Sequence, residues 1–273
     1  MLTRRSLLFG LAAGGTVLGS RASAAAARTF VGGEHQYPIR MRKKIEILYK
    51  SPEGHPNALD ATPEGLWVGE QVSDRAHLLD WETGKSLTAY DTQSSNTSGL
   101  AYGGGFLWMA ANGPGRMRDK RPHDVERDRG QIVKIDAKTG QHVKSYSTPN
   151  GKGLHGLAWH DDSLWIAQSR PDKIVQSGAD LNVKSSFALP LGRPHGLGWD
   201  GDGIWNVFSN DFRVLKFDPV SGQVIEAIQL NSDDPNPHGM TCYQGSLYYC
   251  DAGIGPGNAD KSKFAGSICR IDL

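Results

Sequence analysis

A unit of about 40 residues occurs five times along this chain, and no other feature restricts its fold as strongly. The clearest copies are His155-Gly156-Leu157-Ala158-Trp159 followed by Leu164-Trp165, and His195-Gly196-Leu197-Gly198-Trp199 followed by Ile204-Trp205. His238-Gly239-Met240 with Leu247-Tyr248 is a third. In each copy the His stands ten residues before the second aromatic. The same count back from Trp108 lands on Ser98, and from Trp67 on Asn57.

Each copy reads as four short strands. The first begins at the Asn57/Ser98/His155/His195/His238 position, and the second carries the Leu-Trp or Leu-Tyr pair. The third, such as Gln131 to Asp136 or Val214 to Asp218, runs into an Asp-initiated turn. In Asp80-Trp81-Glu82-Thr83-Gly84 the Asp bonds its own backbone and the Gly supplies the positive φ, so the periodic acids are turn residues. Four-stranded units at this period predict an all-β fold, a five-bladed β-propeller with four antiparallel strands per blade. The fifth copy reaches only its third strand at Leu273. The alternating segment Lys44 to Tyr49 is the piece expected to complete that blade and close the ring, leaving no open edge.

In such a ring the first strands line the central channel, and their starting residues gather at one mouth with the ends of the second strands. Asn57, Ser98, His155, His195 and His238 are therefore expected around the channel axis, with Glu70, Asn112, Gln168, Ser209 and Asp251 about them. Two insertions, 112–129 (which carries Arg116) and 252–266, overhang the same face. Polar groups, concavity and long loops coincide there. His155, His195, His238 and Asn57 are candidate ligands of a divalent metal, because neutral imidazole is a common ligand and three protein ligands leave a position open. Glu70 and Asp251 are the candidate proton-transfer groups, and Ser98, Asn112, Gln168 and Arg116 the candidate substrate pocket. The alternative is that the imidazoles merely satisfy backbone groups at the strand ends. His77, His123, His142 and His160 fall on outer strands, the insertion or turns and are expected at the surface. Trp67, Trp108, Trp165 and Trp205 hold one position of the repeat and are expected in the core between blades.

A net charge of +1 provides no basic field, which argues against a nucleic-acid partner. Residues 1–26 pair Arg4-Arg5 with an apolar run and the small residues Ala22-Ser23-Ala24. They read as a twin-arginine export signal, with an ordinary secretory signal or a retained anchor as alternatives. The expected location is periplasmic or secreted, with residues 27–42 an arm trailing over the surface and 43–273 the propeller. No second apolar run is long enough to span a bilayer, so no membrane association is expected after signal removal. Cys242, Cys250 and Cys269 permit one disulfide in an exported protein and lack metal-type spacing; their pairing stays open.

The pattern Pro194-His195-Gly196-Leu197-Gly198-Trp199-Asp200-Gly201-Asp202-Gly203-Ile204-Trp205 resembles the blade repeat of streptogramin (virginiamycin B) lyases and of the gluconolactonase/senescence-marker family. Gly65-Leu66-Trp67-Val68-Gly69-Glu70 is similar to it as well. The resemblance extends over about residues 44–273 and implies a propeller with a divalent metal at its axis. In the lactonase-like enzymes an Asn or Asp ahead of a Gly-Leu-like pair binds that metal, and Asn57, His155, His195 and His238 match the position. Histidine there favours zinc, iron, manganese or copper over calcium. Five-bladed glutaminyl cyclases match in blade number.

Two functions are therefore expected to compete. One is an exported metal-dependent enzyme, a lyase or hydrolase of a small molecule, working as a monomer. The other is a non-catalytic module presenting the same mouth to a ligand or protein.

Overall fold

The computed structural model describes residues 37–148, 153–255, 258–259 and 262–273, so the segment read as an export signal lies outside the described residues. Five four-stranded antiparallel blades form a ring. Blade one comprises Pro56–Thr62, Gly65–Glu70, Arg75–Leu79 and Ser86–Asp91. Blade two comprises Thr97–Gly103, Phe106–Ala111, Gln131–Asp136 and His142–Ser147. Blade three runs Leu154–His160, Ser163–Gln168, Lys173–Ser177 and Val183–Ala188, and blade four Pro194–Asp200, Gly203–Phe208, Arg213–Phe217 and Val224–Gln229.

Blade five takes three strands from the C-terminal end, Met240–Tyr243, Ser246–Cys250 and Ser267–Asp272. Its fourth is Ile45–Lys50, antiparallel to Ser267–Asp272, so the ring closes as the orphan strand requires. Of the arm, the described part runs over the surface as an edge strand: Ile39–Met41 pairs in parallel with Val224–Gln229 as a fifth strand on blade four. The outer edge of that blade offers unpaired backbone groups, and Arg42 with Asp234 (2.7 Å) and Arg40 with Glu226 (3.3 Å) hold the strap in register.

The packing follows the burial gradient of the repeat. Second strands are buried along their whole length, whereas outer strands such as Val183–Ala188 are mostly exposed. Trp67, Trp108, Trp165 and Trp205 are 4%, 1%, 4% and 0% exposed, which places all four in the core. They fill the seams between blades, where Trp108 stacks on Trp159 of the next blade at 5.4 Å. Burying each indole is worth about 4–6 kcal/mol of transfer free energy. The Asp turns form as read: Asp80 accepts from the Thr83 N–H (2.8 Å) and hydroxyl (2.7 Å), and Asp136 does the same with Thr139. Gly84, at φ 67°, lies against the ring of Tyr49 on blade five, so the turn also serves the seam.

Candidate functional site

The first strands do not enter the ring regularly. Pairing with the second strand shifts between Pro56 and Ala58, Thr97 and Gly99, Leu154 and Leu157, and Pro194 and Leu197. Asn57, Ser98, His155 and His195 sit within these bulges, which turn a side chain out of the pleat. In blade five His238 stands two residues before its strand, fixed by its own N–H to the Cys250 carbonyl at 2.9 Å. The backbone of the blade-four bulge is tied down by Asn206, whose amide donates to the carbonyls of His195 (2.9 Å) and Gly196 (3.0 Å).

Just inside the mouth the channel is shut. Gly99, Gly156, Gly196 and Gly239 let neighbouring first strands touch backbone to backbone. A Cβ on Gly156 would lie 2.3 Å from the His195 carbonyl oxygen, and one on Gly196 2.1 Å from the Met240 nitrogen. No space for a water remains between them. Above this floor lies a cavity of about 240 Å³. The expected ring, Asn57, Ser98, His155, His195 and His238, lines it, together with Asn112 and Arg116. Gln71, Asn96, Arg193 and Ile254 line it too and were not anticipated.

His155 and His195 have ring centroids 4.4 Å apart, and His195 and His238 4.7 Å, so the imidazoles form an arc over the floor. His238 Nδ1 lies 3.2 Å from the Asn236 carbonyl; donating there fixes the tautomer and leaves Nε2 a lone pair. Burial pushes His155 down to about 3 and His238 to about 4, and lowers His195 strongly; the Arg193 guanidinium adds to the effect on all three. The imidazoles are therefore neutral at pH 7. In the unfolded chain they take up protons near pH 6.5, so stability present above that pH is lost as pH falls through 6.5 toward 4. His238 and His195, lying in contact, contribute to this loss together. Urea unfolding at neutral pH and at about pH 4.5 should show this loss, and a His195→Gln, His238→Gln double variant should flatten it. An equal slope in that variant would refute the assignment.

The acidic candidates do not line the cavity, although Asp251 stands close enough to His238 to oppose its lowering. Glu70 accepts N–H bonds from His55 (2.8 Å) and Glu53 (3.2 Å), which commits it to the 51–55 loop. Asp251 accepts from Asn236 N–H (2.9 Å), Gly253 N–H (2.9 Å) and the Ser262 hydroxyl (2.6 Å), tying the blade-five insertion to the approach to His238. Gln168 is buried and paired across from Leu154 and Lys173, outside the lining. Pleat parity is the reason: in blade one the last strand residue turns away, and Gln71, the next along, faces the cavity. His77 is also corrected, being 3% exposed and placed between Ser86 Oγ (3.1 Å) and Glu53 (3.2 Å) rather than at the surface. Cys242, Cys250 and Cys269 are all free, and burial raises each thiol. Among the described residues, no three His, Cys, Asp or Glu side chains are gathered round one point as a metal shell would be.

Arg116 reaches the mouth because the insertion is clamped. Arg118 binds Asp124 (2.6 Å) and Asp74, while Arg121 donates to the Ser73 carbonyl at 2.8 Å, fastening the loop of blade two to blade one.

No protein-family model matches this chain, and no curated protein matches it in sequence. Solved structures do match. The glutaminyl cyclase of Myxococcus xanthus aligns with a TM-score of 0.64 at 13% identity, over 87% of this chain and 99% of that one. A streptogramin B lyase aligns at 0.51 with 14% identity, over 84% and 97%. U3-55K aligns at 0.52 with 11% identity, over 84% and 98%. What they share is the fold. The chain is a β-propeller like the lyase and the cyclase, and at these identities the likeness carries no site residue across.

Proposed function

We propose that this chain is an exported metal-dependent enzyme, a lyase or hydrolase acting on a small molecule at the channel mouth. One observation supports it above the others. Asn57 Oδ1, His155 Nδ1, both ring nitrogens of His195 and His238 Nε2 are buried without a hydrogen-bond partner. These atoms face the cavity, where a bound ligand or water supplies the partners the fold does not.

The fit to a metal rests on donor chemistry, since neutral imidazole nitrogens and an amide oxygen are the free atoms. His155, His195, His238 and Asn57 are the residues that would hold a divalent ion of the kind that prefers nitrogen donors, and to do so their side chains would have to close on one point from the open arc seen here. When bound, such an ion supplies Lewis-acid polarisation of a substrate oxygen. The chain itself provides the rest. The closed floor excludes bulk water from below, and at the rim Gln71 Nε2 donates to Asn96 Oδ1 (2.7 Å) and Asn96 Nδ2 to the Asn112 carbonyl (3.0 Å), a linked row of amides that fixes the polar wall.

Elemental analysis of the purified full chain tests this directly. About one equivalent of a transition metal is expected in the wild type, and a large loss in the His155→Ala, His195→Ala double variant. Metal-free wild-type protein would overturn the reading. A non-catalytic binding module is the second reading, favoured by the lack of any carboxylate among the described residues lining the cavity. Ligand binding without metal and without turnover would establish it.

A further inference from the structure

We infer that Arg193 and Arg116 form an oxyanion clamp, which fixes the carboxylate or phosphate of a small-molecule substrate above the imidazole arc. This rests on the reading of the channel mouth as a small-molecule site and specifies what enters it.

Arg193 is held there against its backbone preference. It occupies the position two residues before the ring histidine of blade four, with φ at 56°. The equivalent positions of blades two and three, Asn96 and Gly153, have φ of 50° and 59° and carry residues that accept the left-handed region readily. An arginine in that region bears a cost of about 1 kcal/mol or more. Its side chain lines the cavity and makes one described hydrogen bond, Nη1 to Asn210 Oδ1 at 2.8 Å, to a neutral acceptor.

Arg116 faces it from the insertion. The sequence two residues on shows what an arginine satisfied within the fold looks like: Arg118 is bound by Asp74 and Asp124. Among the described residues, neither Arg116 nor Arg193 has a carboxylate within ion-pair distance, and none lines the cavity. Two planar guanidinium groups facing one concave polar site, with their charge unanswered, suit bidentate recognition of an oxyanion. The size of the cavity limits the rest of the ligand. At about 30 Å³ per water, 240 Å³ holds roughly eight waters, which admits a small metabolite-sized acid.

The test is calorimetric titration of the full chain in about 0.15 M salt with succinate, inorganic phosphate and the neutral succinamide. At least one anion should bind and the diamide should not, the tighter anion naming the class. Arg193→Gln and Arg116→Gln should each weaken that binding at least tenfold; Arg116 is exposed, so its variant tests the clamp without threatening the fold. Equal binding of succinamide, no binding of either anion, or binding unaffected by both substitutions would overturn the inference. Repeating the titration on chelator-treated protein separates it from the metal reading. Anion binding that survives chelation and still needs the arginines upholds the clamp even if the wild type proves metal-free. Binding that vanishes with the metal yet ignores both arginines refutes the clamp and leaves the metal reading standing.

Discussion

Gly196→Ala is expected to destabilise the propeller by at least about 3 kcal/mol, at or beyond the upper range for overpacking. The added Cβ would stand 2.1 Å from the Met240 nitrogen and 2.7 Å from the Gly239 carbonyl carbon and His238 oxygen. These are backbone atoms of a neighbouring first strand, so no side-chain rotation relieves the overlap. Moving blade four outward would open two interblade seams and raise the floor of the cavity. Gly201→Ala is the control: its Cβ meets nothing within 4 Å, and its φ of 58° alone should cost about 1 kcal/mol. Urea denaturation midpoints of the two variants decide the matter. If Gly196→Ala proves no worse than Gly201→Ala, the close-packed floor is not what holds the inner ring together.

Arg118→Ala is expected to cost about 3–5 kcal/mol, the range for stripping one partner from a buried ionic cluster. Asp74 and Asp124 side chains are 0% and 1% exposed and share this guanidinium, itself 10% exposed. Arg118 holds Asp124 down to about 2, and it opposes the burial that raises Asp74. Asp74 also anchors blade two by accepting from the Thr97 N–H (3.0 Å) and hydroxyl (2.9 Å). Without Arg118 two carboxylates face each other in the seam, and the insertion carrying Arg116 loses its fastening. Chemical denaturation should show the loss, and limited proteolysis should newly cut within 112–129. A variant as stable and as protease-resistant as the wild type would show that the ion cluster contributes no net energy.

The ring of Asn57, Ser98, His155, His195 and His238 was legible because the repeat fixes position rather than chemistry. A residue ten before the strand-two aromatic must fall at the same height in every blade, whatever its type. The Gly after it in four copies reads as architecture, and the structure adds why: backbone of the adjacent strand occupies the space a Cβ needs. Glu70, Asp251 and Gln168 were misplaced by the same reasoning carried one step too far. Height in the blade follows from counting, but the direction of a side chain at a strand end depends on pleat parity and on which loop amides are near. Glu70 finds the amides of Glu53 and His55; Asp251 finds those of Asn236 and Gly253. Arg193 left no signal in composition or period, because its backbone conformation appears only in three dimensions.

By itself, then, the sequence determined the blade number, the closing strand (read at 44–49, found at Ile45–Lys50), the Asp turns and the burial of the tryptophans. All of these are local patterns multiplied by a fixed period. Tertiary structure decided that the channel is shut by glycine-mediated backbone contact, that the acids near the mouth serve loops, and that two arginines without a carboxylate partner among the described residues line the same cavity as three neutral imidazoles. Those features depend on which blade lies beside which bulge and on where each desolvated charge finds a partner. Sequence separation does not carry that information.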